Sequence, residues 1–368
     1  MKKVILIFPL ISAFFLPCKL FAFPGLNKQS PFPYTDVPES SLSEICRQYM
    51  EDLAPAPVFP RTEFFPYYDE ATKLYGFVDT KDNVVIPAKY DRPGDFYTVL
   101  RGMNSGKSYA VVQEKTGKFG VIDEKGKTVI PFKYDKITLS YADRGNALIA
   151  EGLRKKTKTR FGLYRDGSSG GNGNHPVIGF GFYEDIEKYF SIWNMTSGKP
   201  ILKNDLAEDG SYYDGYWSVW APPAPFILME KHQHHVQSFL GAFDSNGKLH
   251  IYHFVRQQND GRKQGCYLHP SDIRKCLGIS SPFGSPEKSV KKTANPNIVL
   301  IGHAKTEKGE NDLQSNRFEE NNGDIDWTFY DTGNKTEFPI PFKKYKILEN
   351  PPRSWIFSVV SIHGEETK

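Results

Sequence analysis

Long apolar runs are scarce in this chain. The run at residues 4–16 is too short to span a bilayer comfortably, which takes about 20 apolar residues, and no other stretch is long and apolar enough to cross one. Cysteine is also scarce, with four in 368 residues and none in CxxC spacing, so no zinc site is read from them. Charge of one sign is nearly absent as an excess. The 47 Lys+Arg against 43 Asp+Glu leave +4, which argues against the concentrated basic face of a nucleic-acid binder. No H-E-x-x-H and no nucleophile–base pairing can be read along the chain. The glycine-rich stretch 167–173 lacks the Gly-Lys-Ser/Thr ending of a phosphate loop and opens no helix. No catalytic residue and no cofactor are therefore expected.

Aromatic residues are plentiful at 14%, as are glycine and proline with 31 and 26 copies. That combination favours many turns and short strands over long helices. With 39% apolar and 24% charged residues, the chain belongs to the globular class.

Residues 1–22 stand apart. Lys2 and Lys3 precede the apolar run Val4–Leu16, and Leu20-Phe21-Ala22 ends it on a small residue. This is the layout of a secretory signal peptide, which predicts a secreted or periplasmic protein. An uncleaved anchor and a lipid-modified Cys18 are weaker readings, the latter because Pro17 stands where a small residue is needed. Cleavage after Ala22 removes Lys2, Lys3 and Lys19 and leaves Cys46, Cys266 and Cys276. In an oxidising compartment a Cys266–Cys276 bridge is plausible, with Cys46 as a buried free thiol.

Residues 23–71 read as an extended lead carrying a helix over 41–53. Ser41 and Glu44 have capping-box spacing. Leu42, Ile45, Cys46, Tyr49, Met50 and Leu53 recur on one helical face, and Pro55 and Pro57 end it. The bland expectation is a helix packed on the following domain; a partner-binding helix is the alternative.

From residue 72 the chain repeats itself. Tyr75-Gly76-Phe77-Val78-Asp79, Val84-Val85-Ile86-Pro87 and Lys89-Tyr90-Asp91 recur as Phe119-Gly120-Val121-Ile122-Asp123, Thr128-Val129-Ile130-Pro131 and Lys133-Tyr134-Asp135. Weaker copies open at Phe161-Gly162-Leu163-Tyr164, at Leu240-Gly241-Ala242-Phe243, and at Trp327-Thr328-Phe329-Tyr330, where threonine replaces glycine. A period near 42 residues predicts about seven hairpin or three-strand units over 72–350, with a C-terminal strand and tail over 351–368. One hairpin cannot bury its own apolar face, so neighbours must stack. The fold class is all-β: a propeller-like ring, or an open β-solenoid, plus the N-terminal helix. In a ring, the strand-like Trp355–Val360 completes the first unit.

The Gly-(Phe/Val)-(Val/Ile)-Asp, Val-Ile-Pro, Lys-Tyr-Asp pattern resembles the WG-repeat (KWG-repeat) proteins of bacteria, with Tyr75, Phe119 and Phe161 in place of the tryptophan. The resemblance is clear over 72–140 and weak beyond 190. It implies an all-β repeat domain used for binding or scaffolding and carries no catalytic motif. The expected function is an exported, non-enzymatic module for a protein or cell-envelope glycan. An exported hydrolase with a loop-assembled site is the alternative.

Two clusters are candidate sites. Tyr213, Asp214, Tyr216, Trp217 and Trp220 form an aromatic-rich stretch that could stack on sugar rings, or simply pack between repeats. His232 and His234 share a strand face at a usable metal spacing, although a solvated polar strand edge is the favoured reading and no metal is expected. The five basic residues among 154–160 read as a solvated loop between two strands, with anionic polymer as the alternative partner.

Overall fold

The computed structural model describes residues 35–51, 58–142, 145–166, 177–207, 217–219, 226–231, 237–243, 248–257, 263–265, 290–315, 323–349 and 356–364. Nearly all of them lie in or between strands. Helix α1 (Leu42–Glu51) occupies the expected position, with Leu42 and Cys46 buried, and Glu44 paired to Arg47 across one turn. A second helix, α2 (Glu307–Ser315), was not expected. It packs beside a strand and buries Leu313. No helix among the described residues is long and apolar enough to cross a membrane.

The strands form five sheets. The first repeat supplies β2 (Phe64–Asp69), β3 (Leu74–Asp79) and β4 (Val84–Tyr90), and the C-terminal strands β22 (Tyr345–Glu349) and β23 (Phe357–His363) extend that sheet. As expected, a C-terminal strand joins the first repeat, with β23 lying parallel to β2. The second sheet is β5 (Phe96–Thr98), β6 (Ser108–Gln113), β7 (Phe119–Asp123) and β8 (Thr128–Tyr134). The third is β9 (Lys136–Ala142), β10 (Ala147–Asp166), β11 (Val177–Asn194) and β12 (Lys199–Ala207).

The fourth holds β13 (Trp217–Val219), β14 (Phe226–Lys231), β15 (Gln237–Phe243), β16 (Leu249–Gln257) and β17 (Lys263–Gly265), with β1 (Thr35–Pro38) parallel to β16. The fifth is β18 (Val290–Lys292), β19 (Ile298–Ala304), β20 (Ile325–Asp331) and β21 (Thr336–Pro339).

Five sheets, rather than seven units, thus hold the described strands. The 42-residue period fails where β10 and β11 run to 20 and 18 residues, so one sheet uses 136–207. The basic stretch 154–160 lies inside β10 and is not a loop. The register places it opposite residues 183–189 of β11.

Successive residues on a strand face opposite sides, and here both sides are covered. Phe77 packs with Phe96, Ala110 and Ile122 of the second sheet. Its neighbour Val78 packs with Leu300, Trp327 and Phe329 of the fifth. Likewise Ile122 faces the first sheet, while Val121 joins Ile137 and Leu148 of the third. Each fully buried aromatic of this kind stabilises the stack by about 2–3 kcal/mol. That explains the nearly unbroken apolar run after each repeat glycine.

Candidate functional site

A cavity of about 310 Å³ opens between the first and fifth sheets. Phe65, Ile298, Phe329, Phe338, Phe357 and Val359 form its apolar walls, and Thr62, Thr80, Thr293, Asn295, Asp95 and Arg61 add polar groups. Phe65, Phe329 and Phe338 touch in series, with ring centroids 5.9 and 5.4 Å apart.

Asp95 is the unusual member. It is only 7% exposed and sits just ahead of β5. Burial pushes its carboxyl up to about 7, while the Ser358 hydroxyl and the Ala294 N–H, both donating to it, pull it part of the way back. Both donors are neutral and both residues are buried. A carboxyl held this way in an apolar wall gains from a cation brought alongside.

Arg61 lies at the exposed mouth, its guanidinium 3.6 Å from the centre of the Phe338 ring. Asp331 feels its charge. The Asn295 side chain donates to the Pro60 carbonyl and the Asn297 side chain to the Phe59 carbonyl, so the segment carrying Arg61 is strapped beside the cavity. Lys291 holds its ammonium 5.6 Å from the centre of Phe357, and its burial lowers its basicity. Two of the rings that wall the cavity therefore already carry a cation on a face.

The first repeat reaches this site through a shared irregularity. In β3–β4 the pairing runs Tyr75↔Tyr90, Phe77↔Ile86, Val78↔Val84, so two extra residues bulge out around Pro87 and Ala88. In β7–β8 it runs Phe119↔Tyr134, Val121↔Ile130, Ile122↔Thr128, the same slip around Pro131. The bulged backbone folds over the glycine. A Cβ on Gly76 would collide with the Ile86 carbonyl oxygen and come within 2.8 Å of the Ala88 nitrogen. The released Ala88 N–H donates to the Tyr67 hydroxyl at 2.9 Å. Asp79 and Asp123 close the hairpins, each accepting two turn N–H groups on one carboxylate oxygen.

Residues 75–98 and 119–143 match the model of the WG-containing repeat. Both segments are similar to WG repeats. No curated protein matches the chain. Among the described hairpins, the slip opposite a glycine occurs in these two repeats and not in the weaker copies. Thr328 pairs with Pro339 in an unbroken ladder, as Gly241 does with Ile251 and Gly162 with Gly181. The later copies thus keep the hairpin without the WG-repeat bulge. The first WG repeat contributes Thr80 and Asp95 to the cavity.

Tyr213, Asp214, Tyr216, Trp220, His232, His234, Cys266 and Cys276 lie outside the described residues, and Trp217 is placed only as the start of β13. Cys46 is corrected: it is buried and disulfide-bonded, not a free thiol. The sequence had indicated a core helix face, and such a face conceals whether its thiol is paired. Among the described residues, no group of three or more His, Cys, Asp or Glu is arranged to hold a metal. Asp95 and Arg61 went unnoticed because neither is one of the recurring pattern residues and 200 or more residues separate each from the fifth-sheet walls. The one available signal was an acidic residue immediately before the apolar pair Phe96-Tyr97.

Proposed function

We propose that this chain is an exported, non-enzymatic β-repeat binding module whose cavity takes an organic cation with an apolar body. The observation that carries the reading is the buried Asp95 carboxyl set in phenylalanine walls. Aromatic faces and a desolvated carboxylate both favour a soft cation over a neutral ligand. The cation could be a free small molecule or a lysine or arginine side chain of a protein partner. The single carboxyl among the lining residues favours binding over a hydrolase, whose glycosidic form would need two. The paired state of Cys46 supports an oxidising destination. A propeller-like arrangement is supported by the stacked sheets and by the return of β23 to β2, for which an open solenoid has no use.

Calorimetry with benzyltrimethylammonium, benzyl alcohol and phenylpropionate tests the cavity. The cation should bind at least about tenfold more tightly than either of the others. Asp95→Asn should abolish that preference and Phe338→Ala should weaken it. Binding should strengthen as pH rises toward 7 and Asp95 ionises. Around it stand the Arg61 guanidinium, Tyr97, which burial moves upward, and Lys291 on β18 beside Phe357. Equal binding of all three compounds would remove the charge from the proposal; no binding would remove the site. A partner-borne amine would appear as envelope-protein capture that the small cation displaces.

Mass mapping should find the Cys46 peptide resistant to alkylation until the protein is reduced. Ready alkylation of the unfolded, unreduced chain would count against an oxidising destination.

A further inference from the structure

Apart from the cavity, the chain carries an uncovered apolar surface. Pairing of β9 to β10 stops at Leu153, and that of β12 to β11 stops at Lys188. Beyond these points β10 and β11 continue alone as a two-stranded ribbon to Asp166 and Val177. At about 3.4 Å per residue it extends on the order of 40 Å. Such a ribbon is marginal in water by itself.

Along it stand Phe161, Phe180 and Phe182 and, nearer the sheet, Ile186, exposed by 60%, 68%, 77% and 54%. The register puts all four on one face, with Phe161 opposite Phe182. The rings are already assembled, with Phe161 4.9 Å from Phe180 and 4.8 Å from Phe182. The other large apolar residues exposed elsewhere, such as Val58 and Met103, are not grouped in this way. A cluster of this kind on a soluble protein marks a contact surface.

The charge around it selects the partner. Lys155 and Lys156 are exposed on the inner half of the ribbon, while Arg154, Lys158 and Arg160 lead up to Phe161. Glu184, opposite Thr159, is the exposed acid on the phenylalanine face. Aromatic side chains at the far end with basic residues behind them match an interface of acyl chains below and anionic headgroups above. A protein partner would be expected to add a strand to the ribbon's edge, and the lysines and arginines along β10 blunt that edge against such pairing.

We propose that the β10–β11 ribbon is a docking finger for an anionic lipid surface. Phe161, Phe180 and Phe182 enter the interfacial zone, and Lys155 and Lys156 meet phosphates. It requires no membrane-spanning segment.

Vesicle co-sedimentation of the full chain decides the matter. Phosphatidylcholine vesicles with and without phosphatidylglycerol are compared for the wild type and the Phe161→Ser/Phe180→Ser/Phe182→Ser variant, with circular dichroism to verify the fold. The apolar leader is common to both proteins, so it cancels. Binding to anionic vesicles should weaken at least about tenfold in the variant, and less in Lys155→Glu/Lys156→Glu. A Phe182→Trp reporter should shift to the blue and be quenched by lipid-borne nitroxides. Equal binding of wild type and variant, or an unquenched reporter, overturns the proposal. Self-association that the triple variant abolishes would also overturn it, because a second copy would then cover the face.

Discussion

Gly76→Ala is expected to destabilise the protein by about 3 kcal/mol and Gly120→Ala by about 2, whereas Gly162→Ala should be neutral or slightly stabilising. The three glycines occupy the same place in three sequence-similar segments, so side-chain propensity gives no reason to separate them. Backbone geometry does. At Gly76 the added methyl meets the Ile86 carbonyl and the Ala88 nitrogen, which belong to the bulge and cannot swing aside, as well as the Tyr67 ring at 2.5 Å. At Gly120 it meets the Ile130 carbonyl at 2.9 Å and the Phe132 ring at 2.8 Å, and a ring can partly yield. At Gly162 the nearest atom is on Tyr183, at an ordinary 3.8 Å. There alanine only restricts the unfolded chain, which favours folding by a few tenths of a kcal/mol. Urea unfolding of the three variants checks the order. Equal losses at all three positions would remove the bulge as the reason for the repeat glycine.

Asp95→Asn should change how stability responds to pH. In the unfolded chain this carboxyl titrates near 3.8; in the folded protein burial raises it to about 7. Between those values the folded state keeps a proton that the unfolded state has released, so stability falls as pH rises through the window. Below 3.8 the contribution is fully present; above about 7 it is lost, because the fold then buries a charge. A separation of about three pH units corresponds to on the order of 4 kcal/mol. Asparagine keeps an oxygen to accept from Ser358 or Ala294 and never ionises. The variant should therefore be several kcal/mol more stable than the wild type at pH 8.5 and close to it at pH 4. Unfolding curves at the two pH values isolate this effect, since the other acids are common to both proteins. A wild type–variant gap that is the same at both pH values would mean that Asp95 is not held as described. Because the same variant should lose cation preference while gaining stability, weakened binding could not be put down to a damaged fold.

Much of the architecture was legible along the chain, and for definite reasons. Asp79 and Asp123 announce hairpins because their short side chains satisfy turn N–H groups locally. Pro87 and Pro131 announce a strand interruption, because neither can donate to a ladder. The weak copies misled the count. Phe161-Gly162 spells the motif but lies in an unbroken ribbon, and the basic run beside it spells a loop but is strand. Its partner strand is one that only pairing identifies.

The candidate site was illegible for a related reason. Asp95, Phe357 and Phe338 are far apart in sequence, and each is ordinary where it stands. Only sheet stacking turns the Asp95 carboxyl from a solvated group into a buried one.

The amino-acid order alone therefore determined the hairpin-bearing module, its all-β class and its two true copies, because turns, glycines and prolines act over a few residues. Tertiary structure alone decided which glycine is indispensable, that five sheets stack, that Cys46 is bridged, and that a carboxyl lies among four phenylalanine rings. These depend on which distant backbones approach one another, and local residue chemistry does not specify that.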